Sequence, residues 1–155
     1  MEVAFIKLER RNIVERENKM GYRSDVVLAI APEAASAFMA MLAANPKAMT
    51  LCNNADTFES GYEREGDWLV CWHGIKWYTQ VDEYEDIKAI QRFVDALDCN
   101  DLSEYGEDEC PNDINYKPTQ WHEYFKFIQI GEADDDIVSL GSAFEEICIQ
   151  RSIVY

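Results

Sequence analysis

The stretch DVVLAIAPEAASAFMAMLAA, residues 25–44, decides the fold. Asp25 to Ala31 is a β-branched, apolar run without alternation, the pattern of a strand covered on both faces. Pro32 and Glu33 then supply a first-turn proline and an acid at a helix start. From Glu33 to Ala44 the residues Ala34, Phe38, Met41 and Leu42 recur at helical spacing, and Asn45 before Pro46 is read as the stop.

Working outward, Thr57 to Arg64 and Trp68 to Tyr78 read as two strands joined across Glu65, Gly66 and Asp67, a short glycine-containing turn. Trp68, Val70 and Trp72 alternate with Leu69, Cys71 and His73, and Gly74 interrupts the alternation as a bulge would. Asp82 with Glu85 three residues later resembles a capping box. It opens a helix to about Leu97 whose Ile87, Ile90, Phe93, Val94 and Leu97 make one apolar stripe. Asn100 to Gln120 has no period and contains Gly106, Pro111 and Pro118, so it reads as a long loop. Tyr124 to Ile130 is a further strand, 131–142 a turn with a short helix, and Ile147 to Tyr155 a terminal strand.

This order predicts an α+β domain: a mostly antiparallel sheet with two main helices on one face, ferredoxin-like β-α-β-β-α-β plus a C-terminal strand. Residues 20–155 are expected to form that single acidic domain. Residues 1–19, which differ in charge, read as an N-terminal extension or an extra strand, since Val3 to Leu8 alternates.

Charge is the strongest bulk signal, with 30 acids against 14 bases and a formal net charge of −16. With 48% hydrophobic and 12% aromatic residues the chain is too apolar for an acidic disordered segment, so the charge belongs on a folded surface. Such a field repels phosphates and anionic membrane and attracts basic protein surfaces. No run reaches the length of a membrane span, and residues 1–19 are too charged for a signal peptide. Five scattered cysteines fit reduced thiols. The expected setting is therefore cytoplasmic, with no direct nucleic-acid or membrane partner.

The candidate partner-binding residues are Asp82, Glu83, Glu85, Asp86, Asp95, Asp98, Asp101, Glu104, Glu107, Asp108 and Glu109, together with Asp134, Asp135 and Asp136. Between Asp82 and Asp113 twelve acids face only Lys88 and Arg92. A run of like charge is most often a solvated helix face. Here two blocks on a small domain cost stability through self-repulsion, which calls for a compensating role, and aligned carboxylates could imitate duplex phosphates.

Other chemistry finds less footing. An EF-hand loop started at Asp98 has Ser103 where glycine is required, and Cys99, Cys110 and His122 lack a CxxC pair, so neither metal nor cofactor is expected. There is no GxSxG, HExxH or phosphate-binding glycine loop, so the chain is not read as an enzyme. Trp68, Trp72, Trp77, Tyr78, Trp121, Tyr124 and Phe125 are first of all core residues, with an interface anchor as the alternative.

The phrases MGYRSDVVLAIA, WLVCWHGIKWY, YEDIKAIQRFVDAL and FIQIGEADDDI resemble small proteins of tailed bacteriophages and prophages. The resemblance implies an anti-defence protein, of anti-CRISPR or anti-restriction type, acting in the infected bacterial host. Its partner would be a host effector with a basic nucleic-acid-binding surface, met by the acidic face as a DNA mimic. Two alternatives stay open: a sponge for a nucleotide second messenger using Lys76, Arg92, Lys117 and Lys126, and a virion assembly protein. Homodimerisation is also open.

Overall fold

The computed structural model describes residues 5–9, 22–79, 83–106, 120–132 and 136–152, with side chains for all of these but 5–9 and 148–152. Its main sheet contains β2 (Ser24–Ile30), β3 (Thr57–Ser60), β4 (Trp68–Ile75), β5 (Phe125–Ile130) and β6 (Ile137–Leu140). The spatial order is β3-β4-β2-β5-β6, and every neighbouring pair is antiparallel. A separate two-stranded sheet pairs β1 (Phe5–Glu9) in parallel with β7 (Cys148–Ser152).

β2 is apolar from Val26 to Ile30, as suits a central strand covered on both faces. Val26, Leu28 and Ile30 face a core shared with the helices α1 (Pro32–Ala44), α2 (Pro46–Asn53) and α3 (Glu85–Asp98). Val27 and Ala29 face the other way and pack with Leu69, Ile128, Ile130, Phe144 and Ile147. The helices thus occupy one face, and the turn-rich segment 141–147 closes the other. Phe38, Phe93, Phe125 and Phe127 are fully buried between sheet and helices, each contributing about 1.5–3 kcal/mol by leaving water.

The α+β class and the antiparallel sheet are those expected, while the element order differs from plain β-α-β-β-α-β in two places. First, Asn45 and Pro46 do not end the helical region. Asn45 closes α1, its Nδ2 donating to the Met41 carbonyl at 2.8 Å, and Pro46 takes the first position of α2, where its missing N–H costs nothing. Ala48 and Cys52 bury the inner side of α2, and Trp72 Nε1 ties its end to β4 by donating to the Leu51 carbonyl at 3.1 Å. Second, the short helix expected within 131–142 is instead the strand β6, joined to β5 by a turn in which Gly131 N–H donates to the Asp136 carbonyl at 2.8 Å.

The expected bulge is present. Register shifts between Ser24 and Val26, opposite Gly74 at φ +66°. Asp25 accepts the Gly74 N–H at 2.9 Å, Asp56 accepts the His73 N–H at 2.7 Å, and Arg23 Nη1 donates to the Gly74 carbonyl at 2.8 Å. The C-terminal strand is Cys148–Ser152 and pairs with β1, not with the main sheet. Among the described residues no helix is long and apolar enough to cross a membrane.

Candidate protein-binding surface

α3 carries the site. Its apolar stripe, Ile87, Ile90, Phe93, Val94 and Leu97, is buried against the sheet, which turns its remaining positions outward. The helix starts after Tyr84, which makes no side-chain cap, later than a capping box begun at Asp82 would place it. Asp86 Oδ1 instead accepts the N–H of Ile87 at 2.8 Å, and Glu85 and Asp86 lie in the first turn, where the helix dipole favours acids.

The far end is built differently. Asn100, at φ 57°, stands in a left-handed position usually given to glycine and closes α3 with a Schellman pattern. Its N–H donates to the Leu97 carbonyl at 3.1 Å, and the Asp101 N–H to the Ala96 carbonyl at 3.0 Å. Asn100 Oδ1 accepts the His122 N–H at 3.0 Å, which fixes this end against the strand-leading turn 121–124. Leu102 then enters the core, and Tyr105 meets Phe93 edge-on at 5.0 Å.

Placed on this frame, the sequence-selected acids divide. Glu83, Glu85 and Asp86 gather at the start of α3, and Asp95, Asp98, Asp101 and Glu104 at its end. Lys88 and Arg92 stand on the helix between them, so no unbroken acidic ladder runs along it. Two acids are neutralised locally: Lys47 Nζ lies 2.8 Å from Glu85 and Arg92 Nη2 lies 2.5 Å from Glu104. Lys47 holds the Glu85 carboxyl below its usual range.

Asp95, Asp98 and Asp101 are exposed and make no ion pair among the described residues. Gln91 Nε2 donates to Asp95 at 3.0 Å, and Ser103 N–H and Oγ donate to Asp101, keeping its carboxyl low. The last turn of α3 contains no base. Within the helix, Asp95 and Asp98 oppose the dipole at about 0.3–1 kcal/mol each, and no base of the last turn offsets them.

Asp136 lies elsewhere, at the β5–β6 turn, where its carboxylate accepts the Tyr22 hydroxyl. Tyr78 connects this corner to α3: its hydroxyl donates to the Tyr22 carbonyl at 2.7 Å, and its ring meets Tyr84 edge-on at 5.6 Å. Asp82, Glu107, Asp108, Glu109, Asp134 and Asp135 lie outside the described residues.

Between α1, α3 and the turn after α3 runs an open groove of about 280 Å³, lined by Asn45, Glu85, Lys88, Arg92, Glu104 and Tyr105. Lys47, thirty-eight positions from its partner Glu85, was not among the residues the sequence singled out. Nothing local marks it, because the pairing exists only once α2 packs beside α3.

Most of the aromatics are core. Trp72 and Trp77 are buried and meet at 5.2 Å, and Trp77 Nε1 donates to Gln91 at 2.9 Å. Trp121 is half-buried. Cys99 is exposed on α3's terminus, and no group of three or more metal-ligating side chains occurs among the described residues.

Compared with models of protein families, with curated proteins and with solved structures, the chain matches none.

Proposed function

We propose that this chain is a non-catalytic inhibitor that binds a basic protein surface through the end of α3, with Asp95, Asp98 and Asp101 as the contacting acids. In the reading suggested by its resemblance to phage proteins, it is an anti-defence protein of anti-CRISPR type. It acts in the infected bacterial cytoplasm, on an effector whose nucleic-acid channel it occludes as a DNA mimic.

One observation carries this reading. Three exposed carboxylates stand at and just beyond the negative end of a helix dipole, with no base in the helix's last turn and no ion pair among the described residues. Residues that weaken their own fold are retained most readily for an intermolecular use, and a cationic partner would relieve that unfavourable field. Glu85 and Glu104 are less suited to the contact because their charge is already met by Lys47 and Arg92.

The test is displacement of a labelled duplex from a CRISPR effector complex. Wild-type protein should release the duplex, less effectively as salt rises, since surface charges are screened over about 8–10 Å at physiological ionic strength. The variant Asp95→Lys/Asp98→Lys/Asp101→Lys should lose release while keeping its fold. Undiminished release by that variant would remove this surface from the mechanism.

A second reading, a sponge for a small nucleotide, rests on the groove that brings Lys88 and Arg92 together. Calorimetry with cyclic dinucleotides separates the two, since only the sponge releases heat with them.

A further inference from the structure

β6 is an outer strand of the main sheet, and among the described residues no strand pairs with its far side. Its hydrogen-bond phase follows from the turn before it. Gly131 N–H donates to the carbonyl of its register partner Asp136, which makes that a hydrogen-bonded pair. Alternation then turns the backbone of Val138 and Leu140 toward β5 and that of Ile137 and Ser139 outward.

The side chains agree with an edge that is used. Ile137 (39% exposed) and Val138 (36%) are the exposed large hydrophobics of the described residues, and they are neighbours on this strand. Ile137 pairs with Ile130 on the face closed by 141–147, and Val138 with Gln129 on the helix-covered face. Both faces of the edge therefore offer an apolar contact. Exposed edges are ordinarily blunted by charge, proline or a bulge, and residues 137–140 contain none of these. The opposite edge, β3, does carry an exposed charge, Glu59.

From this edge we infer a second interaction surface, at which β6 takes up an extended segment of a partner protein as a sixth strand, with Lys or Arg among its apolar residues. Strand addition supplies affinity through main-chain bonds, and the flanking side chains select the sequence. Charge selects the occupant. Asp136 precedes β6 directly, and exposed Glu123 lies at its other end, where the Ser142 N–H bonds the His122 carbonyl at 2.9 Å. The base there, Lys126, has its ammonium 3.4 Å from the Gly141 carbonyl. On a chain of net charge −16, a second copy would bring like charge against like. This inference does not depend on the acids of α3.

The test uses fluorescently labelled six-residue peptides alternating Lys with Val or Glu with Val, measured by anisotropy against the full chain. The Lys peptide should bind at least about tenfold tighter than the Glu peptide, a difference that follows from charge and shrinks with salt. Ser139→Pro removes an outward N–H without touching the β5 ladder, a substitution edge strands tolerate, and should abolish binding. Ile137→Lys/Val138→Lys leaves the backbone intact and should weaken binding about tenfold by lost apolar contact and repulsion. On peptide addition the amide signals of Ile137 and Ser139 should shift and gain exchange protection. Lys-peptide binding that survives in both variants, with circular dichroism showing them folded, would overturn the inference. So would a wild-type dimer in sedimentation that Ser139→Pro dissociates, since the occupant is then a second copy. Asp95→Lys/Asp98→Lys/Asp101→Lys should keep the Ser139-dependent binding even if duplex release is lost.

Discussion

Asp67 Oδ1 accepts the backbone N–H of Tyr62 at 2.8 Å from a side chain with no exposed surface. Its Oδ2 accepts two more, from Glu63 at 2.8 Å and Arg64 at 2.9 Å, so one carboxylate organises the whole β3–β4 connection. That connection in turn holds two tertiary contacts, Arg64 with Glu33 on α1 and Tyr62 with Phe144 on the far face.

Asp67→Ala leaves three N–H groups without their acceptor and should cost about 3 kcal/mol, as expected for a buried, charge-assisted acceptor. Urea denaturation gives the number, and a loss below about 1 kcal/mol would mean that water satisfies the loop without Asp67.

Two glycines with positive φ should respond very differently to alanine. At Gly61 (φ +79°) an added Cβ meets nothing within 4 Å, so only backbone strain of about 1 kcal/mol opposes it. At Gly141 (φ +83°) the Cβ would stand 2.1 Å from the Phe125 carbonyl oxygen, which belongs to β5 backbone and cannot rotate away. Gly141→Ala should therefore lower stability by about 3 kcal/mol or more. Equal thermal midpoints for the two variants would contradict the close approach of 141 to β5.

The elements legible from sequence were those whose pattern admits one period. β2 is apolar from Val26 onward and α3 has an uninterrupted stripe, and both were placed to within a few residues. α2 was missed because proline ends one helix and begins the next with the same ring, and only packing against α3 decides which. β6 was missed because acids ahead of Ile137 and Val138 also describe a helix start. The acids and the two bases that separate them, Lys88 and Arg92, were legible in residue order, but the neutralisation of Glu85 was not, because Lys47 reaches it across a tertiary contact.

Cysteine reactivity follows burial. Burial pushes the Cys52 thiol up to about 12, and burial together with Glu59 pushes Cys71 up to about 11. At pH 8 their thiolate fractions are on the order of one in ten thousand and one in a thousand. Cys99 is exposed, so a disulfide-exchange reagent should label Cys99 rapidly and leave Cys52 and Cys71 until the protein unfolds. Peptide mapping by mass spectrometry checks the sites, and fast labelling of Cys52 in native protein would show that α2 opens readily from the sheet.

The last prediction concerns the closure of the sheet's second face. Glu63, on the loop organised by Asp67, and Glu146, in the segment that buries Phe144 and Ile147, influence each other's ionisation. The hydrogen bond to Glu146, then burial, raises the Glu63 carboxyl to about 6, while the same bond lowers Glu146. A carboxyl whose folded pKa is raised adds stability that is complete below its ordinary value of 4.5 and lost as pH rises through about 6. One whose folded pKa is lowered adds stability above 4.5 that is lost as pH falls. Both contributions coexist only between these limits, so the segment 141–147 should be held most firmly near pH 5 and less firmly at pH 7.5, where two carboxylates face each other. Glu63→Gln keeps a donor toward Glu146 at every pH. The difference in thermal midpoint between this variant and wild type should therefore grow in the variant's favour from pH 5 to 7.5. A difference that stays constant across that range would show that the two side chains do not influence each other's ionisation.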